Sequence, residues 1–227
     1  MTERMKRLEA EREERKKARL IKEIERTKSL MVYEEKYRDQ QPICGIDEVG
    51  RGPLAGPVLA GAVILPSDHM IYGINDSKKL TPKKRDELYA VIMEEAVAVG
   101  FGIESEESID SMNILQATYA AMRKAVASLK VTPNLLLVDA VTIPMIDIPQ
   151  CSIIKGDAKS VSIGAASIVA KVTRDRMMEE YDSLYPEYHF ASNKGYGTAE
   201  HIEALRKYGP CPIHRKSFLG KILGNVE

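Results

Sequence analysis

The chain contains the stretch GIDEVGRGPLAGP at residues 45–57, and the interpretation of the rest of the sequence depends on it. Two adjacent carboxylates, Asp47 and Glu48, end an apolar run, and a glycine-rich turn follows at once. Acidic side chains beside a buried strand are costly unless a partner compensates their charge. We therefore expect metal ions to bind these carboxylates, and we expect the glycines to let the backbone of a polymer come close.

The segments around this stretch alternate between strands and helices. Residues 58–65 read VLAGAVIL, which is typical of a strand in a sheet that is covered on both faces. The pattern predicts an α/β fold with a mixed sheet flanked by helices. Further strands are predicted at 43–49, 101–104, 135–138 and 151–154, and helices from Thr81 to Gly100, at 114–129, at 160–181 and at 198–208.

Composition restricts the class of protein. The chain has 227 residues, of which 44% are hydrophobic and 29% charged, as expected for a domain with a substantial core. No apolar run approaches the roughly 20 residues of a membrane span, and the charged N-terminus predicts that no secretory signal is present. Cys44, Cys151 and Cys211 form no C-x-x-C pair, which argues against a zinc site or a disulfide framework. We expect a cytoplasmic monomer.

The first 40 residues form a predicted charged helical extension, followed by one domain at 41–227. Residues 1–39 contain no glycine or proline and carry 13 basic and 10 acidic side chains, so the remainder has a net charge of −3. The extension is either a solvated, partly detached helix or an accessory arm that binds nucleic acid or a protein. A nucleic-acid partner would have to be held by local basic patches and metal ions.

Three predicted strands each end on acidic residues. Asp139 follows the strand at 135–138, and Asp157 follows the strand at 151–154, as Asp47 and Glu48 follow the first. Clustered carboxylates repel one another unless they are protonated or bridged by cations. Mg²⁺ and Mn²⁺ prefer such oxygen ligands, and two ions about 4 Å apart support phosphodiester cleavage. The pattern favours a metal-dependent nuclease, with solvated structural acids as the alternative.

Other interpretations of the glycine turn are weaker. The spacing of Gly50, Gly52 and Gly56 is not G-x-G-x-x-G, and upstream carboxylates would repel a pyrophosphate. No G-K-[ST] follows, which excludes a P-loop, and no G-x-S-x-G provides a serine nucleophile. A simple strand-joining turn remains possible.

Six motifs in order resemble those of the ribonuclease HII family. The resemblance covers roughly residues 42–220 and leaves the first 40 unexplained. Its motifs are GIDEVGRGPLAGP at 45–57, DSKKL at 76–80, VDA at 138–140, KGDAKS at 155–160 running into AASIVAKVTRD at 165–175, KGYGT at 194–198 and HRKSF at 214–218.

This resemblance implies a ribonuclease H-like fold with a small C-terminal helical region, and an endonuclease that cuts the RNA strand of RNA–DNA hybrids. It also implies cleavage on the 5′ side of a single ribonucleotide embedded in duplex DNA, which leaves 5′-phosphate and 3′-hydroxyl ends. The catalytic carboxylates and ligands of Mn²⁺ or Mg²⁺ would be Asp47, Glu48, Asp139 and Asp157.

The resemblance further implies a set of substrate contacts. The backbone of Gly50-Arg51-Gly52 would read the 2′-hydroxyl, the group that distinguishes RNA from DNA. Tyr196 would stack on the sugar beyond the ribonucleotide. Phosphates would be held by four side chains, which are Lys78, Ser160, Lys171 and Arg174. His214 and Arg215 fit either a core or a surface position.

Two alternative functions remain at this point. One is a related nuclease such as ribonuclease HIII, whose N-terminal domain is usually longer than 40 residues. The other is a non-catalytic module that binds duplexes. The negative charge of the main domain argues against such a module, because unbridged acids repel phosphate.

Overall fold

The computed structural model describes residues 3–67 and 70–224, which contain a five-stranded mixed sheet. The strand order is β3-β2-β1-β4-β5, with antiparallel pairs between the first three strands and parallel pairs between the last three. The predicted fold class is therefore confirmed. The strands are β1 (Ile43–Val49), β2 (Val58–Ile64), β3 (Ala98–Glu104), β4 (Leu135–Asp139) and β5 (Gln150–Ile153).

Helices cover the sheet, and further helices precede β1 and follow β5. Four 3₁₀ turns, at Arg38–Gln40, Ser77–Lys79, Gly156–Ala158 and Pro186–Tyr188, connect elements of the described chain. The α-helices are α1 (Glu3–Ser29), α2 (Val32–Lys36), α3 (Pro82–Glu95), α4 (Glu106–Met112), α5 (Ile114–Ala127), α6 (Val161–Leu184), α7 (Phe190–Asn193), α8 (Ala199–Tyr208) and α9 (Lys216–Leu223).

The two faces of the sheet are covered by different helices, and small residues let each helix approach closely. A Cβ on Gly45 in β1 would lie 2.1 Å from the backbone carbon of Ser162 in α6. A Cβ on Gly102 in β3 would lie 1.9 Å from the carbonyl oxygen of Ala121 in α5. No side chain fits at such distances, so the glycines fix how deeply α5 and α6 sit on the sheet.

One predicted boundary was wrong for this reason. The sequence predicted that Gly100 ends the helix that begins after Thr81, but α3 ends at Glu95 and Gly100 lies inside β3. A Cβ at Gly100 would be 2.2 Å from the carbonyl oxygen of Ala125 in α5. Gly100 therefore serves helix–sheet packing and does not terminate a helix.

The N-terminal extension is attached to the main domain over its second half. The side chains of α1 up to Lys22 that the structure describes are exposed, whereas Thr27, Leu30 and Glu34 are buried. Arg26 donates from Nη2 to the carbonyl of Ile74 at 3.3 Å. The interpretation of residues 1–39 as a partly detached helix therefore applies only to the first part of α1. The domain boundary at residue 40 stays a prediction.

The helices after α6 enclose a second small core beside the glycine turn. Its buried members are Ala55, Met178, Tyr188, Phe190, Ala204, Leu205, Ile213 and Leu219. The chain that enters α9 pairs with the turn, since Ala55 and His214 form an isolated β-bridge. Among the described helices, none combines the length and the apolar character that crossing a membrane requires.

Two buried histidines form a directional hydrogen-bond chain in this region. His201 Nδ1 lies 2.9 Å from the carbonyl oxygen of Tyr196, and the Nε2 atoms of His201 and His214 lie 2.9 Å apart. Because a carbonyl only accepts, His201 carries its proton on Nδ1 and accepts at Nε2 from His214. His214 Nδ1 then accepts the N–H of Cys211 at 3.0 Å. The neutral forms of both rings satisfy these three contacts, whereas the carbonyl of Cys211, 3.3 Å from His214 Nδ1, receives no proton from the ring in this tautomer.

We expect this pair to make stability depend on pH. Burial, and next the proximity of His201, lower the pKa of His214 to about 4, and burial also lowers the pKa of His201. An unfolded histidine titrates near pH 6.5, so the folded protein binds fewer protons than the unfolded chain below that pH. Because the neutral form of His214 is favoured in the fold, the free energy of unfolding is highest above pH 6.5. As the pH falls from 6.5 toward 4, His214 lowers the free energy of unfolding by up to about 3 kcal/mol.

Urea unfolding between pH 4.5 and 8 measures this dependence. His214→Gln keeps a donor for His201 but cannot ionise, so its unfolding free energy should vary less steeply below pH 6.5. His189→Gln is the matched control, because His189 is exposed. Parallel curves for the parent and the His214 variant would contradict the prediction.

Candidate active site

The four predicted carboxylates lie around one cavity of about 300 Å³ at the edge of the sheet where β1 and β4 end. β1 and β4 run parallel with Ile46 opposite Val138, so the residues that follow them, Asp47 and Asp139, are neighbours. The other residues that line the cavity are Glu48, Val49, Ser77, Lys78, Asp157, Ser167, Lys171 and Tyr196.

The first two carboxylates face different partners. Asp47 is buried, and its Oδ1 accepts the backbone N–H of Glu48 at 2.8 Å. It stands two residues after Gly45 on β1, so it lies on the same face of the sheet as Gly45, the face that α6 covers. Glu48 is half-buried, and Arg51 Nη1 lies 3.3 Å from its Oε1. The turn therefore partly neutralises the second carboxylate and leaves the first without a cation.

A direct hydrogen bond connects the third carboxylate to the loop that carries the fourth. Asp139 Oδ1 accepts the backbone N–H of Gly156 at 2.7 Å. Lys155 before it adopts a left-handed conformation with φ of 58°, which reverses the chain after β5. Asp157 lies in the 3₁₀ turn that follows, half-buried beside the cavity. The backbone of this loop is thus held by one of the site's own acids.

Two serines that the sequence analysis missed complete the wall of the cavity. Ser77 Oγ and Ser167 Oγ lie 2.9 Å apart and are buried. Ser167 also hydrogen-bonds to Asp47 and opposes the rise in that residue's pKa. Both serines stand inside the motifs DSKKL and AASIVAKVTRD, but a serine in a motif shows no sign of which residue it contacts. Only the packing of α6 on β1 reveals the role of Ser167.

The cavity disfavours the negative charge that its carboxylates carry. Burial raises the pKa of Asp47 well above its usual range, and the charges of Glu48 and Asp139 raise it further. Burial raises the pKa of Glu48, although Arg51 opposes that shift. Burial, and next the charges of Asp76 and Asp139, raise the pKa of Asp157. Each shift marks a place where a proton or a cation would be stabilising.

Both lysines that were predicted to bind phosphate line the same cavity. Lys78 is exposed, and its backbone N–H donates to Asp76 Oδ1 at 2.9 Å. Lys171 Nζ lies 2.6 Å from Asp175 Oδ1, and burial lowers the pKa of its ammonium. The ammonium of Lys78 is therefore the more available to a phosphate, whereas Lys171 already has a carboxylate partner.

The donor atoms suit Mg²⁺ or Mn²⁺, although the protein does not form a complete cage. Among the described residues, no group of three or more His, Cys, Asp and Glu side chains is arranged to hold a metal ion. Mg²⁺ commonly binds through one or two carboxylates and takes its remaining ligands from water and substrate phosphates. The carboxylates therefore fit ions whose coordination the substrate completes.

A buried arginine donates hydrogen bonds to the carbonyls of the glycine turn. Arg215, which is fully buried, donates to the carbonyls of Gly50, Arg51, Pro53 and Gly56 at 2.5–3.1 Å. Burial, and next the nearby Arg174, lower the pKa of Arg215 to about 9, which leaves the guanidinium charged at neutral pH. The sequence left His214 and Arg215 between core and surface, and the structure places both in the core.

The surroundings of Arg174 do not favour the phosphate contact that was predicted for it. Its side chain is fully buried and donates to the carbonyls of Pro57, Lys194 and Ala55 at 2.9, 2.9 and 3.1 Å. All three nitrogens of the guanidinium are therefore occupied by backbone. Arg174 joins the turn to the loop that carries Tyr196, and its predicted role in binding phosphate stays a prediction.

The geometry also does not support the phosphate contact predicted for Ser160. Ser160 is fully buried, and its Oγ donates to Glu34 Oε1 at 2.5 Å. The first residues of α6 are covered by the N-terminal extension, which the sequence analysis had treated as separate. The side chain that takes the place of the predicted phosphate is thus a carboxylate of the same chain.

Tyr196 and the glycine turn face each other across the mouth of the cavity. The Tyr196 ring is 45% exposed, and its Cε1 lies 3.5 Å from the position of a Cβ on Gly52. The backbone of the tyrosine is held by His201, and its loop is held by Arg174. The structure therefore brings Lys78, Lys171 and Tyr196 to one cavity, with the turn of Gly50, Arg51 and Gly52 beside Tyr196. Arg174 lies behind that turn, and Ser160 lies beneath the N-terminal extension.

Comparison with known proteins identifies the family. The family model of ribonuclease HII matches residues 44–221. A ribonuclease HII from Lachnoclostridium phytofermentans is 63% identical over 88% of this chain and 79% of its own.

Two solved structures show the same fold. The ribonuclease H2 from Pyrococcus horikoshii is 30% identical, with a TM-score of 0.66 over 80% of this chain and 96% of its own. Bst-RNase HIII in complex with Mn²⁺ is 18% identical, with a TM-score of 0.57 over 74% of this chain and 62% of its own.

These matches exclude the non-catalytic module, since the family model spans the segments that carry all four carboxylates. They also favour ribonuclease HII over ribonuclease HIII, because the matching family model and the curated relative both bear the former name. The chain belongs to the ribonuclease HII family, whose members hydrolyse the RNA strand of RNA–DNA hybrids.

Proposed function

We propose that this ribonuclease H requires Mg²⁺ or Mn²⁺, held by Asp47, Glu48, Asp139 and Asp157, and cuts on the 5′ side of single ribonucleotides embedded in duplex DNA. The observation that carries the proposal is the shared cavity, where four carboxylates lie near a glycine turn whose residues Arg51 and Gly52 are exposed. The products carry 5′-phosphate and 3′-hydroxyl ends. When bound, the ions activate water and stabilise the charge on the leaving oxygen.

Different residues of the chain would bind the ions, orient a ligand and bind phosphate. The carboxylates hold the ions, and Ser167 orients Asp47 through its hydrogen bond. Lys78 offers an exposed ammonium to a phosphate of the cleaved strand, and Lys171 contributes positive charge from α6. Asp47 and Glu48 interact electrostatically, so these two carboxylates titrate as a pair and not as independent groups.

The turn is arranged to present backbone donors to the substrate. The C=O and N–H of a trans peptide point in opposite directions. Because Arg215 holds the carbonyls of Gly50 and Arg51 inward, the N–H groups of Arg51 and Gly52 point away from it, at exposed residues. Donors fixed in this way suit recognition of a 2′-hydroxyl by the main chain.

In the triplet Gly50-Arg51-Gly52, different constraints favour glycine at the first and at the third position. Gly50 has φ of +92°, and a Cβ there would lie 2.3 Å from Arg174 Nε, so the fold itself requires it. Gly52 lies outside the left-handed region, and within the described chain a Cβ there would meet no atom closer than 3.5 Å. The need for glycine at 52 therefore fits the close approach of a substrate.

A direct test compares two substrates and three metal conditions. One duplex carries a single embedded ribonucleotide, and the other is a continuous RNA–DNA hybrid; each is incubated with Mg²⁺, Mn²⁺ or a chelator. We expect cleavage of both with either ion, 5′ to the single ribonucleotide, and none with chelator. Cleavage of the hybrid alone would refute the embedded-ribonucleotide proposal, and turnover in chelator would refute the metal proposal.

Asp47→Asn is expected to lower cleavage more than about 100-fold, because it removes an ion ligand and not merely an outer partner. It should not lower the unfolding free energy at pH 8 without metal. A raised pKa means that the ionised form of Asp47 opposes folding, and asparagine removes that charge. Asp86→Asn, at an exposed pair with Arg176, is the matched control for both measurements. Retained turnover in the Asp47 variant would exclude the carboxylate as a necessary ligand.

Gly52→Ala should lower kcat/KM for the embedded ribonucleotide by about 10- to 100-fold, since a methyl group would obstruct approach to the backbone donors. Binding of an all-DNA duplex should change less than twofold (about 0.4 kcal/mol). Thermal unfolding checks that the fold tolerates the alanine, as the open space at this position predicts. Equal losses on both duplexes would argue against recognition of the hydroxyl by this backbone.

A further inference from the structure

The first turn of α6 is capped largely by the N-terminal extension. The N–H of Val161 donates to the carbonyl of Leu30 at 3.0 Å, and the N–H of Ser162 donates to Glu34 Oε1 at 3.0 Å. The N–H of Ile163 donates to Ser160 Oγ at 3.2 Å. Two of these three donors, which lack partners inside the helix, are therefore satisfied from outside the segment matched by the family model, 44–221.

The capping carboxylate is buried and shared. Glu34 is 7% exposed, and its Oε1 accepts both the Ser162 N–H and the Ser160 hydroxyl. A negative charge at the N-terminus of a helix is favourable because the helix dipole is positive there. Its other oxygen, Oε2, is buried without a hydrogen-bond partner among the described residues. The contacts that Glu34 makes therefore converge on the start of α6.

The loop that carries Asp157 is held between this cap and the active site. At one end, Asp139 Oδ1 accepts the N–H of Gly156, and the carbonyl of Gly156 accepts the N–H of Ser160 at 2.8 Å. At the other end, the Ser160 hydroxyl donates to Glu34. Only Asp157, Ala158 and Lys159 lie between these two anchors. The position of the Asp157 carboxylate thus depends on a residue of the extension.

We propose that Glu34 is a positioning residue of the active site, which holds the Gly156–Ser160 loop so that Asp157 reaches the metal ions. The inference rests on the proposed metal role of Asp157. Groups that orient metal ligands from outside typically change metal affinity or activity by about 10- to 100-fold when they are lost. The N-terminal extension is accordingly part of the active site and not only an appendage.

Three variants separate this role from general stabilisation. Glu34→Ala removes the acceptor, and Glu34→Gln keeps an oxygen for Ser160 and Ser162 without the charge. Glu35→Ala is the matched control, because Glu35 is exposed on the same helix and pairs only loosely with Arg38, at 3.9 Å. All are compared at a temperature where unfolding curves show each to be folded. Deletion of residues 1–39 would remove both caps and part of the core, so it does not replace these variants.

We expect Glu34→Ala to lower kcat about tenfold and to raise the half-saturating Mg²⁺ concentration several-fold, with KM for the duplex within about twofold. Glu34→Gln should recover most of the loss, and Glu35→Ala should match the parent. Hydrogen exchange without metal or substrate should be faster at residues 156–163 in the alanine variant.

Two results would overturn the proposal. One is a folded Glu34→Ala protein with unchanged kcat and unchanged Mg²⁺ requirement. The other is unchanged exchange at residues 156–163, which would show that the loop does not need the cap. If Asp157→Asn leaves cleavage and its Mg²⁺ dependence intact, the proposed metal role fails, whereas the exchange result still reports on the cap alone.

Discussion

Two buried guanidinium groups, those of Arg215 and Arg174, hold the backbone on which the site is built. A buried charge is tolerated only when its donors are satisfied, and both arginines find their partners almost entirely in carbonyls of the segment 50–57. Removing either group would leave several buried carbonyls without donors, which costs more than the loss of ordinary packing. The turn is therefore shaped from inside the protein, and its outward donors are fixed before any substrate arrives.

Helix α6 connects the remaining parts of the site, which are the wall of the cavity and the loop that carries Asp157. Its small residues pack against Gly45 and Gly61, so Ser167 and Lys171 reach the cavity from the same face as Asp47. Arg174 lies one turn beyond Lys171, and the start of the helix adjoins the Asp157 loop. A shift of α6 along the sheet would move a hydrogen-bond partner of Asp47, the support of Asp157 and a clamp of the turn together. The contact of α6 with β1 requires glycine because a Cβ on Gly45 would lie 2.1 Å from the backbone of Ser162.

The sequence and its resemblance to a known family were enough to predict the fold class, the five strands and the longer helices in order, and the acids that line the cavity, whereas α7 lies where no helix was predicted. The end of a strand can be recognised from neighbouring residues in the sequence, and Asp47, Asp139 and Asp157 each lie at or just after such an end. What could not be predicted is where long polar side chains point. Arg174 and Ser160 stand in a motif that suggests phosphate, but each of the three Arg174 nitrogens donates to a backbone carbonyl, and the Ser160 hydroxyl donates to Glu34. The partner of Ser160 is 126 residues away, a distance over which no periodicity gives a signal.

The placement of Glu34 also changes the electrostatic account of substrate binding. A helix N-terminus next to a cluster of acids is an obvious site for a phosphate, because its free N–H groups and dipole favour anions. In this chain an internal carboxylate already occupies that position, so the dipole of α6 stabilises the fold and is not available to the substrate. The phosphates of a duplex therefore meet four carboxylates, with the exposed Lys78 and the paired Lys171 as the cavity's ammonium groups. Such a surface repels a polyanion, so the divalent ions of the proposed function would help to bind the scissile phosphate as well as to cut it.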